Sequence, residues 1–588
     1  MKNMTLARMA EACGGIYYGR DEDRDREICS VTTDSRKAEP GCLFAAIKGE
    51  RVDGHDFIES VFEKGALCAL VETPPRESAG NYIKVDSTIR ALGALAAYYL
   101  EQLAIPVVGV TGSVGKTSTK EMIAAVLSQK YRTLKTAGNF NNELGLPLTI
   151  FRLRDEDEIA VLEMGINHFG EMHRLARIAQ PDTCVITNIG QCHLEFLGDR
   201  DGVLRAKTEI FDFLRPDGHI ILNGDDDKLV TVREVKVANT SPRRLSSLSH
   251  RPELNACHWQ DAPAAGRADD EENAAQPVDA ADCTDEGKNA VLRPVFFGLG
   301  TENDIYADQI EKKGLDGIEC RIHAASGGSF KVLIPIPGIH MVQNALAATA
   351  VGLQYGLSMD EIRAGIESLQ PVSGRFHIIH TENFTIIDDC YNANPMSMKA
   401  SLEVLEEASP RVRPMLNDGH WQEAPAAGRA DKERNAAHLV GAVETPPRVR
   451  SAAGRADKER NASHLVGAVD GWNRRVAILG DMGELGGEEE QMHREVGEFA
   501  GRLEIDLCIC VGKLSAQIAE GIHAVNPEKR TVVLPDLPAL LETLPSLVEK
   551  GDTILIKASH FMQFEKVVAR LENEKEWGNN HVHDSGTR

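Results

Sequence analysis

The sequence has no pair of cysteines in a CxxC arrangement, although it contains 12 cysteines in 588 residues. Structural zinc sites and disulfide frameworks both need cysteines at short, regular spacings. Apart from Cys508 and Cys510, these cysteines are scattered singly along the chain. The pattern spells out neither a zinc site nor a disulfide framework, and it favours a protein of the reducing cytosol.

Long apolar runs and an excess of positive charge are also missing. No uninterrupted apolar run approaches the roughly 18 residues that a membrane-spanning helix needs. We therefore expect a cytoplasmic protein without membrane insertion. The 65 Lys and Arg residues are outnumbered by 89 Asp and Glu residues, which gives a formal net charge of -24. Binding along a phosphate backbone needs clustered Lys and Arg, so nucleic acid is not an expected partner.

Short apolar runs that alternate with helix-like segments are present in two parts of the chain. The runs lie at 105–110, 159–162 and 184–187, and then at 384–387, 475–479, 507–511 and 553–556. Such alternation predicts parallel α/β sheets. We predict an α/β fold of three domains: a small N-terminal α/β domain at 1–103, a central parallel-sheet domain at 104–370 and a C-terminal Rossmann-like α/β domain at 371–588.

Two stretches, at about 235–293 and 410–471, differ from this pattern. They are rich in Ala, Gly, Arg, Asp, Glu and Asn, and the segment at 258–275 recurs in similar form from His420. The motif AAGRADKERNA begins at Ala426 and again 26 residues later. Two copies cannot bury a continuous core, and the composition is that of loosely structured chain. We predict surface inserts, and a partner-binding role is the alternative.

A glycine-rich turn follows the first central run. Residues 111–117 read TGSVGKT, and 120–131 have the pattern of an amphipathic helix. A strand, a glycine-rich turn and a helix in this order form a phosphate-binding loop, because backbone N–H groups and the helix N-terminus face the anion. In such a loop Lys116 meets the β- and γ-phosphates, and the Thr117 hydroxyl is a ligand for Mg²⁺.

Other segments resemble the Mur ligase family of bacterial cell-wall enzymes, whose phosphate loop has the same form. The resemblance is carried by TDSR at 33–36, DGHDF at 53–57, NFNNELGLP at 139–147, EMGINH at 163–168 and DDCYNANP at 388–395. Outside the two inserts it covers essentially the whole chain. The last three segments favour the branch of the family that adds D-alanyl-D-alanine.

The resemblance implies an ATP-dependent amide ligase in peptidoglycan synthesis. Its expected substrates are ATP, UDP-N-acetylmuramoyl-tripeptide and D-alanyl-D-alanine, and we expect a monomer. The carboxylate of the tripeptide would attack the γ-phosphate of ATP, and the dipeptide amine would then attack the resulting acyl phosphate. The expected domain roles are binding of the UDP substrate at 1–103, ATP binding at 104–370 and ligation at 371–588.

The resemblance also implies roles for individual residues. The expected ATP contacts are Thr111, Gly112, Ser113, Val114, Gly115, Lys116, Thr117, Ser118, His340, Asn344 and Arg375, of which His340 and Asn344 lie in a segment before an Ala-rich helix. The expected Mg²⁺ ligands are Thr117, Glu163, His193 and Lys207, the last as a carbamate. The expected catalytic residues are Lys116, Glu163, His193, Lys207, Arg375 and Asp389.

Substrate contacts complete the expected site. They are Ser35, Arg36, Lys48 and His55 for the UDP end, Asn139, Asn141 and Asn142 for the muropeptide, and Tyr391, Asn392 and Asn394 as further substrate contacts. Three positions depart from the family pattern: Ala558 and His560 replace Gly and Arg, and Asp199 stands where Ser is common. The first two departures put the acceptor side in question.

Two alternative functions remain open. One is a sibling ligase with another amino acid or dipeptide as its acceptor. The other is a non-catalytic nucleotide-binding scaffold that uses its repeated inserts to hold partners. From the residues alone, Lys207 could be a surface lysine, and His340 and Asn344 could be capping and packing residues.

Overall fold

A computed structural model of the chain describes residues 1–49, 51–75, 80–237, 290–325, 327–408, 474–573 and 577. Most of both predicted inserts, namely 238–289 and 409–473, lies outside the described residues. The described chain contains three large sheets in succession along the sequence, of five, nine and six strands. The predicted α/β fold is therefore confirmed. No helix in the described part of the chain is long and apolar enough to cross a membrane.

The first sheet has the order β1-β5-β4-β3-β2 and is parallel except for β1. Its strands are β1 (Ile16–Tyr18), β2 (Val31–Thr32), β3 (Leu43–Ala45), β4 (Cys68–Val71) and β5 (Asn81–Lys84). The accompanying helices are α1 (Leu6–Ala12), α2 (Ile58–Glu63) and α3 (Thr88–Leu103). The Ser87 side chain caps the N-terminus of α3, whose apolar face buries Leu92 and Leu95.

The nine-stranded sheet has the order β16-β15-β14-β13-β10-β9-β6-β8-β7. The strands from β14 to β7 in this order are parallel, and β14, β15 and β16 form an antiparallel meander. The strands are β6 (Val107–Thr111), β7 (Thr133–Lys135), β8 (Ile159–Glu163), β9 (Thr183–Ile186), β10 (His219–Asn223), β13 (Val295–Gly298), β14 (Ile305–Lys312), β15 (Ile318–Ala324) and β16 (Ser329–Ile334).

Helices cover both faces of this sheet. They are α4 (Lys116–Leu127), α5 (Gly145–Ile150), α6 (Glu171–Ala179), α7 (Leu194–Leu197), α8 (Arg200–Thr208), α9 (Ile339–Gln354) and α10 (Met359–Glu367). The strands β6, β8 and β9 are buried along their whole length. This burial explains their continuous apolar runs, because a parallel sheet covered on both faces leaves no strand face for water.

Two predicted positions in this region are corrected by the structure. Helix α4 begins at Lys116 rather than at residue 120, because Gly115 adopts a left-handed backbone with φ +81° that turns the loop directly into the helix. Helix α9 begins at Ile339, so His340 and Asn344 lie inside its first two turns rather than before it.

The first predicted insert starts and ends on a two-stranded antiparallel ribbon. The strands are β11 (Val235–Val237) and β12 (Ala290–Leu292), and Val237 pairs with Ala290. The outermost residues of the stretch predicted as loosely structured are therefore ordered strands. Their partners are separated too far in sequence for a local pattern to reveal the pairing.

The six-stranded sheet has the order β17-β18-β22-β19-β20-β21, and only β17 is antiparallel. Its strands are β17 (His377–His380), β18 (Thr385–Asp388), β19 (Arg475–Gly480), β20 (Leu507–Val511), β21 (Thr531–Leu534) and β22 (Thr553–Lys557). Its helices are α11 (Pro395–Glu407), α12 (Glu489–Arg502), α13 (Ser515–Val525), α14 (Leu537–Leu547) and α15 (Glu565–Glu572). The four predicted strands of this region, 384–387, 475–479, 507–511 and 553–556, are confirmed to within one residue at either end.

Candidate active site

The phosphate loop lies at the carboxyl end of β6, where ligands bind in open parallel sheets. Gly112 has φ +149°, and a β-carbon there would lie 1.9 Å from the Thr187 hydroxyl oxygen. The position therefore requires glycine. The Lys116 ammonium donates to the Gly112 carbonyl at 2.8 Å, and burial lowers the pKa of this lysine. The loop thus forms a closed turn, in which the Lys116 ammonium and the N-terminus of α4 lie next to each other.

Glu163 ends β8, which pairs with β6, so its carboxylate lies beside the loop. Its Oε1 atom accepts hydrogen bonds from Thr117 Oγ1 at 3.2 Å and from Asn141 Nδ2 at 2.9 Å. Its Oε2 atom is buried and has no hydrogen-bond partner, and Lys120 Nζ lies 3.8 Å away. A buried carboxylate oxygen next to a hydroxyl is a donor set that suits Mg²⁺.

Thr117 and Glu163 are the predicted metal ligands that lie within contact of each other. Among the described residues, no cluster of three or more His, Cys, Asp or Glu side chains is arranged to hold a metal ion. Mg²⁺ commonly uses one or two protein oxygens and completes its shell with phosphate and water. The residues present therefore fit a nucleotide-bound Mg²⁺ rather than an ion held by protein alone.

Lys207 lies on α8 and is only 1 % exposed. Burial, with a smaller contribution from the neighbouring Lys116 cation, lowers the pKa of Lys207 to about 8. An amine with this pKa is neutral far more often at pH 7 than an ordinary lysine. Because the side chain is buried, it is not the surface lysine that the sequence alone allowed.

His193 precedes α7 and has a left-handed backbone with φ +52°. Its Nδ1 atom lies 2.7 Å from Glu484 Oε2, which belongs to the loop after β19 in the C-terminal sheet region. The pair is close, but the angles do not satisfy hydrogen-bond geometry, so Nδ1 has no aligned partner. The contact with His193 lowers the pKa of the Glu484 carboxyl group.

The two residues expected on the adenine side differ in their surroundings. Burial lowers the pKa of His340 to about 4, and its Nδ1 atom has no hydrogen-bond partner. A neutral ring with an open nitrogen is available to a ligand. Asn344 instead accepts a hydrogen bond from Thr119 Oγ1 at 2.8 Å and joins α9 to α4. Its position corresponds to the packing alternative.

Residues of the C-terminal region form the opposite wall. The Arg375 guanidinium lies 4.0 Å from the centre of the Tyr391 ring. Asp389 Oδ2 accepts hydrogen bonds from Lys557 Nζ at 2.5 Å and from Ser401 Oγ at 2.7 Å. The Asp389 and Lys557 side chains are almost fully buried, so each charge depends on the other for stabilisation.

One cleft of about 650 Å³ joins these two walls. The predicted site residues that line it are Ser113, Val114, Gly115, Lys116, Thr117, Ser118, Asn139, Asn141, Asn142, Glu163, His193, His340, Arg375, Asp389, Tyr391, Asn392 and Asn394. The other predicted residues of this region, Thr111, Gly112, Lys207 and Asn344, are not part of the lining.

The residues predicted for the UDP end lie in the first sheet region and do not line this cleft. Arg36 pairs with Asp34 at 2.9 Å, yet its side chain is 88 % exposed. Lys48 is also exposed, and Ser35 accepts a bond from Lys64 through its backbone oxygen. Both ring nitrogens of His55 are engaged inside the domain, by Asp53 and by the Glu72 N–H. His55 therefore has a packing role in this structure.

Comparison with known proteins identifies the family. The models "Mur ligase family, catalytic domain", "Mur ligase middle domain" and "Mur ligase, glutamate ligase domain" match residues 27–100, then 110–260 with 269–352, and then 453–560. A protein of Bacillus subtilis (strain 168), named UDP-N-acetylmuramoyl-tripeptide--D-alanyl-D-alanine ligase, is 34% identical over 97% of this chain and 99% of its own length. The chain belongs to the Mur ligase family.

Further Mur ligases show the same extent of similarity. The ligase of the same name from Escherichia coli (strain K12) is 32% identical over 97% of this chain and 99% of its own length. A crystal structure of MurF from Acinetobacter baumannii has a TM-score of 0.69 and 29% identity, and covers 97% of this chain and 98% of that one. MurF from Thermotoga maritima in complex with ADP has a TM-score of 0.64 and 25% identity, over 93% and 98%.

The structure gives physical reasons for the three departures from the Mur ligase pattern. Asp199 caps α8 by accepting from the Gly202 N–H at 2.8 Å, a role that Ser and Asp fill equally well. Ala558 is fully buried, and its methyl group packs against Gly480. The His560 ring stacks on Tyr391 with centroids 5.4 Å apart and lacks the permanent charge of Arg.

Among the lining residues that were not predicted are two charged residues of the C-terminal region, Lys557 and Glu484. Lys557 ends β22 and directly precedes Ala558. It was missed because a lysine at the end of a strand gives no local sign of burial. Glu484 lies in the loop that follows the carboxyl end of β19, whereas Glu163 ends β8 itself. An acidic residue in a loop at the carboxyl edge of a parallel sheet is the signal that could have identified Glu484.

Proposed function

We propose that this chain is an ATP-dependent amide ligase that joins D-alanyl-D-alanine to UDP-N-acetylmuramoyl-tripeptide in peptidoglycan precursor synthesis. The observation that carries the proposal is the single cleft in which Lys116 and Glu163 on one wall face Arg375 and Asp389 on the other. The relatives named for this reaction match the chain over nearly its whole length. An ADP complex of a similar enzyme supports a nucleotide as one substrate.

The reaction needs an activated carboxyl group, because a free carboxylate is a poor acyl donor. An oxygen of the tripeptide carboxylate attacks the γ-phosphorus of ATP, ADP leaves, and an acyl phosphate forms. The amine of the dipeptide attacks the acyl carbon and loses a proton, and inorganic phosphate leaves. Positioning and charge neutralisation provide most of the catalysis of such phosphoryl transfers.

The residues of the cleft suit these steps. The Lys116 ammonium and the N-terminus of α4 hold the phosphates, and Arg375 approaches them from the opposite wall. Glu163 and Thr117 would hold Mg²⁺, which would neutralise the crowded phosphate charge. His193 and a carbamate on Lys207 would contribute further ligand atoms. Lys207 is a suitable carbamate site, because the carbamate forms on the neutral amine and burial lowers the pKa of this lysine.

The three sheet regions divide the work in this proposal. Region 1–103 binds the UDP end through exposed side chains such as Arg36. Region 104–370 binds ATP, and region 371–588 completes the ligation site. Asn139, Asn141 and Asn142 lie beside Glu163 and are suited to the peptide part of the substrate. The proposed enzyme is a cytoplasmic monomer, since ATP and its UDP-linked substrate are both molecules of the cytosol.

The test measures phosphate release and product mass. Purified protein is incubated with Mg-ATP and UDP-muramoyl-tripeptide, with and without D-alanyl-D-alanine. We expect phosphate release only when both substrates are present, and a product whose mass is that of the two joined with loss of water. Lys116→Ala protein is the control for contaminating ATPase. Phosphate release that is independent of both substrates would defeat the proposal, and the absence of any release would favour the non-catalytic nucleotide-binding scaffold. A product that forms only when another amino acid or dipeptide replaces D-alanyl-D-alanine would indicate a sibling ligase.

A further inference from the structure

Glu484 lies in a loop that is firmly attached to the C-terminal sheet. Asp481 accepts hydrogen bonds from the backbone N–H groups of Ser515 at 2.7 Å and Lys513 at 3.1 Å. The Met482 N–H donates to His493 Nε2 at 2.9 Å, and the Gly483 N–H donates to Ser559 Oγ at 2.9 Å. Three successive residues before Glu484 are thus fixed to the body of this region.

The same loop touches the central region at α7. A β-carbon on Gly486 would lie 3.3 Å from the backbone nitrogen of Glu195, so the two backbones approach closely there. Leu485, which precedes Gly486 in the chain, is buried. Glu484 itself has φ +61°, an uncommon left-handed conformation for a residue that is not glycine. In this conformation the Glu484 carboxylate points from the C-terminal region toward the central region, and its Oε2 atom lies 2.7 Å from His193 Nδ1.

The partner residue is equally constrained. His193 also has a left-handed backbone and lines the cleft beside the phosphate loop. Its side chain is 18 % exposed, whereas that of Glu484 is 52 % exposed. A carboxylate at one ring nitrogen of a histidine fixes the ring orientation and tautomer, and so presents the other nitrogen in a defined direction. Catalytic contacts often become aligned only when substrate binds.

We propose that Glu484 is a positioning residue of the ligase reaction, which holds the His193 ring toward the cleft when the C-terminal region is docked on the central one. This role rests on the proposed ligase function. It makes the orientation of His193 depend on domain docking, because the carboxylate and the ring belong to different sheet regions. Glu484 need not touch the substrate to act in this way.

The kinetic test is a double-mutant cycle with Glu484→Gln and His193→Ala in the full-length protein. We expect Glu484→Gln to lower kcat about tenfold or more, with the KM for ATP and the thermal midpoint nearly unchanged. In the His193→Ala background the same substitution should have no further effect, because Glu484 acts through the ring. Glu490→Gln, an exposed glutamate of α12, is the matched control and should behave like the unaltered protein.

Two outcomes would overturn the proposal: unchanged kcat in Glu484→Gln, or an equal loss of kcat with and without His193. A second measurement does not need ligase activity. The ring ¹⁵N signals of His193, assigned by comparison with His193→Ala protein, should shift in Glu484→Gln and stay in place in Glu490→Gln. Unshifted signals in Glu484→Gln would refute the contact. If the unaltered protein has no ligase activity but the His193 signals shift in Glu484→Gln, the proposed function is refuted and the contact is not.

Discussion

The two walls of the cleft are built in different ways. In the first wall the phosphate loop is one continuous stretch that runs from β6 through Gly115 into α4. Glu163 and Asn188, which bond to this stretch, lie at the ends of neighbouring strands of the same sheet. The opposite wall comes from Arg375, Tyr391, Glu484 and Lys557, which are widely separated in sequence. The first wall is thus built within one sheet, whereas the second depends on the fold and docking of another region.

The largest expected effect is a loss of stability when the buried ion pair of the second wall is broken. Asp389→Ala leaves the buried Lys557 cation without its partner, and we expect the C-terminal region to lose about 3–5 kcal/mol of unfolding free energy. Denaturant titration followed by far-UV circular dichroism measures this loss. The double variant Asp389→Leu with Lys557→Met should recover much of it, because no unpaired charge remains. Equal stability of Asp389→Ala and unaltered protein would contradict the role given to the pair.

The next prediction concerns turnover rather than stability and tests the central region near the phosphate loop. Lys207→Ala removes a buried amine beside Lys116, and we expect turnover to fall at least about a hundredfold while the fold is retained. Incubation with ¹³C-bicarbonate should give a carbamate carbon signal in unaltered protein and none in the variant. Lys550→Ala, an exposed lysine, is the control. Full activity of Lys207→Ala would remove the carbamate role.

A smaller effect tests how the second wall reaches the nucleotide. Arg375→Lys keeps the positive charge but loses the planar group that stacks on Tyr391. We expect kcat/KM for ATP to fall about tenfold, since a stacked cation contributes about 1 kcal/mol and fixes the direction of the side chain. Arg363→Lys, on α10, is the matched control. A variant that matches unaltered protein would mean that the stack does not orient Arg375.

The smallest effect concerns the departure from the family pattern. His560→Arg restores the residue expected in Mur ligases next to Tyr391. We expect a change of only about threefold, in the KM for the dipeptide and not in that for ATP, because the ring stacks on Tyr391, an expected substrate contact. Steady-state kinetics with each substrate varied in turn measures both constants. A change confined to the ATP constant would place His560 on the nucleotide side.

The sequence indicated residues of both walls, but it missed two charged residues of the second, Glu484 and Lys557. A strand, a glycine turn and a helix in succession determine the positions of Lys116 and Thr117, since neighbours in sequence are neighbours in space. Glu484 and His193 meet only because two sheet regions pack together, and no local pattern encodes that contact. The same reason applies to Asn344, whose tie to Thr119 depends on how α9 lies against α4.

Predictions of the strands succeeded because burial on both faces leaves a continuous apolar run in the sequence. Strands such as β20 are covered on both faces, so their apolar runs delimit them to within a residue. The β11–β12 ribbon was missed because it is short and partly exposed. Helix α4 began earlier than predicted because Gly115 determines its start, and the amphipathic pattern only marks the part that is buried further along.

That ribbon offers a practical opportunity for protein engineering. Val237 and Ala290 lie opposite each other, so the ends of the two strands are neighbours in space. A tight Asn-Gly hairpin can connect antiparallel partners placed in this way. Neither residue lines the cleft, so a fluorescent reporter joined beside this pair would be attached away from the lining residues and would give screening laboratories a convenient label position.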